Sequence, residues 1–497
     1  MRTADPIGFL KPLVLPGNFS LQLCAAINAW RYEDLPASVV STLKRMLLDT
    51  LGNIAGAAQA TGIPELNRRL MRWEHDGSTT GLIGMQRYSP PSAALANGSA
   101  AHALDFDDFH DMARVHTSCV VFPALLATAE DIGAVSGDQF LLALAIGAEL
   151  HARLGLACYN SLGRGWHPTM VLGTMSGAIA AGRLLALDDE SSCNALGLAF
   201  HQASGSAQSA REGVLSKRLG AGFAARNAVV SAFLAADGIS GARQPLEGNA
   251  GLFALYERNE VRPEFLADGL GDHWRIEDFS FKPYPGCRCS HTSIGLGISL
   301  HHEGVQASAI ESIDIGLGEV NWLTIGEPYD VDRASVAHAQ FNVSYGFARA
   351  LTDGRFDLDS YAHNAIVDPA VAKLARKIRV KADPAIGQTE IAPARIRLTF
   401  VDGRTLEVFG KTIKGSPEDP MSNAEMLEKF RTSLARGVGA SKAQADRLAE
   451  VIDDLEHQSD VAEALISAFP SVRTAEQALD SRLSGNVRRK AHQASSR

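Results

Sequence analysis

Aromatic residues are scarce, at 7% of 497 residues, while glycine is plentiful at 45. That balance favours closely packed helices over an all-β fold, which draws on aromatic and β-branched residues. Positive charge is also short, and the formal net charge of −9 implies no basic face and excludes a nucleic-acid binder. The one basic run, VRRKAHQASSR at 487–497, is polar and reads as a disordered end. No run of eighteen uninterrupted apolar residues occurs, so no membrane span is predicted. Pro6, Pro12 and Pro16 break any helix near the start, which argues against a signal peptide. The six cysteines are scattered, and four sit in apolar helical contexts, where they pack as small hydrophobes. Cys287-x-Cys289-x-His291 is too tightly spaced for an ordinary zinc site and has no second pair nearby. A reducing, cytoplasmic setting is the expectation.

What is present is helix after helix from about 20 to 265. Pro36 opens one such segment, and Leu43, Met46, Leu47 and Leu51 follow at helical spacing. The stretches from 117 and 141 are apolar nearly all round, as in buried helices. Small residues dominate GTMSGAIAAGRLLAL and GAGFAARNAVVSAFLAADG, so neighbouring backbones can approach closely. The texture changes near residue 270. IESIDIGLGE (310–319) and KIRVKAD (377–383) alternate as strands, and ARIRLTFVDGRTLEVF (394–409) reads as a hairpin about Asp402-Gly403. The prediction is therefore a mainly α protein with a second α+β domain. A helical domain covers 1–270, an inserted α+β domain 271–415, and C-terminal helices at 416–497 return to the first domain before a disordered tail. No repeat of fixed period is present.

Between two apolar runs lies HALDFDDFHDMARVH, residues 102–116. Asp107-Asp108-Phe109-His110-Asp111 spells D-D-x-x-D, which on a helix puts two carboxylates on one face to chelate magnesium. Three features oppose that reading. The nearest second motif, Asp453-Asp454-Leu-Glu-His457, lacks the final aspartate; aromatics to line a hydrocarbon cavity are scarce; and His116 follows closely, a ligand magnesium does not seek. The plainer alternative is a solvated acidic loop, with Asp107 and Asp108 capping the next helix or pairing with Arg114.

Five stretches in order carry a family pattern: ANGSAAHALDFDDFHD with the following HTS, GRGWHPTMVLG, EGVLSKRLGAGFAARN, LEGNAGLF and FKPYPGCRCSH. Together they resemble the MmgE/PrpD family over roughly residues 20–470. That family includes 2-methylcitrate dehydratase, cis-aconitate decarboxylase and iminodisuccinate epimerase. The resemblance implies a homodimer and a lyase that needs neither cofactor nor metal. Its substrate would be a small di- or tricarboxylic acid, undergoing dehydration or decarboxylation. An epimerase, or a non-catalytic paralogue that binds a carboxylate, is the alternative. Motif for motif, the implied catalytic residues are Asp105, His116, His167, Lys217 and Lys282, with Phe109, His110, Thr117 and Tyr345 as substrate contacts. Phe109 and Thr117 depart from the dehydratase-like pattern, which carries Thr and Pro there. The Asp105-to-His116 spacing looks closer to the fungal form of cis-aconitate decarboxylase than to the animal one.

The residue types suit such chemistry. Losing a proton or CO2 beside a carboxylate builds negative charge, which fixed cations and donors must meet. Lys217, Lys282 and protonated histidines would supply them, and a histidine is the natural acid or base. Asp105, Asp107 and Asp108 cannot all ionise cheaply in a closed site, so one should titrate high. His102, His151 and His201, on otherwise apolar helices, read instead as core histidines with a satisfied partner. The site is expected in the cleft between the domains, with Asp105, His167 and Lys217 from the first and Lys282 from the rim of the second.

Overall fold

The structure is a computed structural model that describes residues 18–74 and 76–470. The tail at 487–497 and the prolines at 6, 12 and 16 lie outside the described residues.

The helical part is organised around α1 (Ala37–Gly56), α2 (Pro90–His102), α3 (Ser118–Ile132), α4 (Gly137–Ala157), α5 (Pro168–Leu184) and α6 (Ser216–Ala236). Pro36 is the N-cap of α1, and Leu43, Met46, Leu47 and Leu51 are fully buried along one stripe. Two helices, α4 and α6, are long and apolar enough to cross a membrane by length and composition. The apolar window of α4 is wholly buried inside the protein and that of α6 is 61% buried, which is how core helices pass the same test.

Small residues set the crossing that matters most for function. A Cβ on Gly222 of α6 would stand 2.2 Å from Ser99 Oγ and 2.4 Å from Leu95 O of α2. A Cβ on Gly98 of α2 would meet Gly222 Cα at 3.0 Å. Only glycine permits this approach, and it brings the N-terminal end of α6 against the C-terminal end of α2.

The α+β part follows two short strands, β1 (Phe109–His110) and β2 (Phe279–Ser280), which pair antiparallel. Its sheet has β3 (Ile310–Leu317), β4 (Ile378–Ala382), β5 (Ala394–Phe400) and β6 (Thr405–Gly410), in the order β4-β3-β5-β6. β3 and β4 run parallel, as a crossover through the intervening helices requires, while β3–β5 and β5–β6 are antiparallel. The β5–β6 hairpin turns at Gly403, whose φ of +84° suits glycine. Helices α7 (His291–His302) and α8 (Val343–Asp353) pack on this unit, and Ile313, Ile315, Ile396, Leu398 and Phe347 close its own apolar core.

The chain then re-enters the helical part through α9 (Asn423–Val438), α10 (Lys442–Asp453) and α11 (Val461–Ala468). Gly437 of α9 lies so close to α1 that a Cβ would stand 1.8 Å from Ala55 O. Met426, Phe430 and Leu434 share the core of the N-terminal helices.

Candidate active site

After α2 the chain turns sharply, and Asp105 takes a left-handed φ of +53°. Such a conformation costs a non-glycine residue of order 1–3 kcal/mol and persists only when neighbours over-determine it. Here they do. The carbonyls of three successive residues are held from three distant segments. Gln340 Nε2 donates to Leu104 O (2.9 Å), Lys282 Nζ and Gly286 N both donate to Asp105 O (2.9 Å each), and Lys429 Nζ donates to Phe106 O (2.7 Å). Lys429 is itself paired with buried Asp49 at 2.6 Å, so α9 and α1 jointly brace the turn.

The Asp105 carboxylate is clamped between two lysines, with Lys217 Nζ 3.0 Å from Oδ2 and Lys282 Nζ 2.8 Å from Oδ1. Lys217 comes from the first turn of α6, delivered by the Gly98–Gly222 crossing, and Lys282 from just after β2. All three side chains are buried. Burial alone would raise the Asp105 carboxyl, but Lys217 and Lys282 outweigh it and hold it well below the usual range. For Lys282, burial favours the neutral amine, yet Asp105 and Asp107 reverse the effect and raise its pKa.

Beside this triad, Asp107 faces two imidazoles, with His102 Nδ1 2.8 Å and His116 Nδ1 3.2 Å from the same Oδ2. With both Nδ1 atoms turned to the carboxylate, each ring keeps Nε2 for other partners, the arrangement that fixes a tautomer. His116 is pushed down to about 4 by burial, against the opposing pull of Asp107, and is a neutral base at neutral pH. His167, the N-cap residue of α5, is driven well below its ordinary value by burial and then by Lys217. The positive charge of the site therefore rests on the lysines, and not on protonated His116 or His167 as the sequence suggested. Asp108 is the carboxyl that titrates high. Burial, then the charges of Asp107 and Asp49, push it up to about 7, although it accepts from Thr117 N and Ser118 N and so caps α3.

The turn also settles the D-D-x-x-D question. Residues 103–108 are not helical, so Asp107 and Asp111 do not share a helix face. Asp111 instead takes Arg288 Nε at 3.0 Å and Ser280 Oγ at 2.6 Å. Nor is the segment a solvated loop, since Asp105, Asp107 and Asp108 are all buried. Arg114 reaches Thr389 O and pairs with neither aspartate. Among the described residues, the one group with three candidate metal-ligand atoms within 4.8 Å is His102, Asp107 and His116. There His102 Nδ1 is hydrogen-bonded to Asp107 and His116 Nδ1 stands 3.2 Å from the same oxygen, and Lys282 stands near enough to bias the charge of both Asp107 and His116. That environment suits proton handling better than a cation. Cys287, Cys289 and His291 do not form such a group.

The remaining residues divide. Strand alternation sends Phe109 and His110 of β1 to opposite sides. The Phe109 ring lies 4.8 Å from that of His116, whereas His110 packs edge-on to Phe279 with Nε2 4.0 Å from Asp278. The Thr117 hydroxyl is occupied by His151 Nδ1 at 3.0 Å. Tyr345 sits in the α+β core, bonded to Ser360 O and ringed by Tyr329 and Tyr361, away from the carboxylate cluster. His110, Thr117 and Tyr345 thus do not join Asp105, His116, Lys217 and Lys282. His102 is buried with Asp107 as its partner, as a core histidine would be, and that partner places it beside them. It is the last residue of α2, and only the reversal after it brings it to Asp107. His201, by contrast, is exposed.

A small cavity of about 10 Å³ opens at His102, Asp105, Lys217 and Phe341. A larger groove, about 470 Å³, lies between α1, α9 and α10 beside Lys44, Arg45 and Arg431, and contains none of the cluster. Chemistry, and not size, marks the site.

The chain is 28% identical over 470 residues to the cis-aconitate decarboxylase-like protein oryM of Aspergillus oryzae, covering 90% of this chain and 97% of that protein. It is 28% identical to cis-aconitate decarboxylase of Aspergillus terreus (89% and 94% covered) and 28% identical to that of Homo sapiens (88% and 91%). Residues 21–264 match the MmgE/PrpD N-terminal domain and residues 284–455 the MmgE/PrpD C-terminal domain, and the chain belongs to the MmgE/PrpD family.

Proposed function

We propose that this protein is a lyase that acts on a small di- or tricarboxylic acid, by decarboxylation or dehydration, with its own side chains and no cofactor. The observation that carries the reading is the buried clamp of Lys217 and Lys282 on Asp105, set beside two imidazoles that share Asp107. Lys217 donates one hydrogen bond to protein, to Asp105, so its other N–H groups are available to a substrate carboxylate. Losing CO2, or a proton next to a carboxylate, delocalises charge onto that carboxylate, where a fixed ammonium stabilises it without reorganisation. Neutral His116 accepts or returns the proton at Nε2, and Asp107 stabilises the imidazolium that forms. The relatives' printed names favour decarboxylation of cis-aconitate. Epimerisation needs the same proton abstraction and is the runner-up. The proposal includes a homodimer in a reducing, cytoplasmic setting, the latter consistent with six free cysteines.

The test is direct. The full chain is incubated separately with cis-aconitate, 2-methylcitrate and iminodisuccinate. CO2 release, formation of a new double bond and change of optical rotation are followed in turn. CO2 release or dehydration supports the lyase; rotation alone makes it an epimerase; none of the three leaves a carboxylate-binding protein.

A further inference from the structure

The catalytic cavity is too small for the acids it is proposed to take. Its roughly 10 Å³ is about the room a single water needs. Next to it lies a second cavity of about 340 Å³, which shares Arg218 and Gln340 with the first as common wall. Its lining is unusual in charge: two arginines, Arg218 and Arg436, and no carboxylate. Arg436 is the outer one, already paired with Asp359 at the surface. Arg218 is only 7% exposed and donates a single hydrogen bond to protein, from one Nη to Thr61 O at 2.9 Å. A guanidinium carries five N–H donors, and those that Arg218 does not give to Thr61 open onto the cavity, where they can meet an anion. Gln59, Thr61 and Tyr361 add polar wall around it. Arg218 follows Lys217 in sequence on the same helical turn, so the two cations diverge from one point into adjoining cavities.

We propose that the Arg218 cavity is a carboxylate subsite that takes the arm of the substrate remote from Asp105 and His116, and so selects a tricarboxylate over a dicarboxylate. The inference rests on the carboxylate-lyase reading and deepens it. A planar guanidinium with free donors matches a carboxylate bidentately, which a lysine there would not. The two N–H groups that Lys217 does not give to Asp105 then take the two carboxylates nearest the reacting carbon, and Arg218 anchors the third, fixing the orientation of the chain between them.

Binding separates this from the reading beneath it. Titration calorimetry on the full chain uses two unreactive probes, tricarballylate with three carboxylates and glutarate with two. The wild type should bind tricarballylate at least tenfold more tightly than glutarate. Arg218→Met should abolish that preference while changing glutarate binding less than about twofold, and Arg218→Lys should restore only part of it. Gln59→Glu, at an exposed position, adds a negative charge at the cavity and should weaken tricarballylate selectively. A wild type without the preference, or an Arg218→Met or Gln59→Glu protein that keeps it, overturns the subsite and leaves the lyase reading standing. A wild type that binds neither probe and turns over none of the three acids overturns both.

Discussion

Replacing Lys217 with methionine removes a charge and keeps most of the volume. In the folded protein Lys217 is one of two cations on Asp105, at 3.0 Å, with Lys282 at 2.8 Å on the other oxygen. At an effective dielectric of about 20, two unit charges at that separation attract by on the order of 5 kcal/mol, much of it offset by desolvation. Because Lys282 remains on Asp105, the stability loss should stay below the roughly 3–5 kcal/mol of a buried pair broken outright. The rate should suffer more. Losing one donor to a developing anion costs about 2.7–4 kcal/mol, a hundred- to thousandfold in kcat/KM. Two titrations should move with it: Asp105 upward because a stabilising cation is gone, and His167 upward because Lys217 no longer repels its protonated form. The assay is kcat/KM on whichever acid the wild type turns over, across pH, beside a thermal melt. An unchanged kcat/KM, or a loss that tracks unfolding, would refute the electrostatic role.

Asp108 gives a stability prediction with a definite sign. Its folded pKa, about 7, lies above the unfolded value of 3.8, so its contribution is fully present below that value and is lost as pH rises towards 7. Asp108→Asn should therefore gain stability relative to wild type as pH rises from 5 to 8, by up to roughly 2.5 kcal/mol. Denaturant melts at both pH values check this; a difference independent of pH would be the contrary result. The depressed His116 acts in the opposite direction below its unfolded pKa, which is why the comparison must be between variant and wild type. Gly222→Val should force α2 and α6 apart, costing about 1–3 kcal/mol or more and lowering activity even where the protein stays folded, because it separates Lys217 from Asp105. Activity should survive exhaustive EDTA treatment, with metal analysis of the treated protein alongside; collapse restored by a divalent ion would assign His102, Asp107 and His116 to a metal.

Much of the fold was written in local pattern. The leucine stripe of α1, the alternation of β3, and the Asp402-Gly403 hairpin are short-range signals, since period and turn chemistry act over a few residues. The small-residue texture of α5 and α6 announced close packing, and the ordered motifs marked Asp105, His116, Lys217 and Lys282. What sequence could not decide was which polar groups meet. A D-D-x-x-D pattern is a metal box only if its residues are helical, and the left-handed turn at Asp105 divides those aspartates among two histidines, a helix cap and Arg288. The same turn draws in His102, whose flanking alanines look like core. Strand alternation turns His110 away while its neighbour Phe109 faces His116. Charge state, too, belonged to the tertiary structure: burial makes His116 neutral and keeps Asp108 titrating near 7, because desolvation depends on what packs around a group and not on its neighbours in sequence.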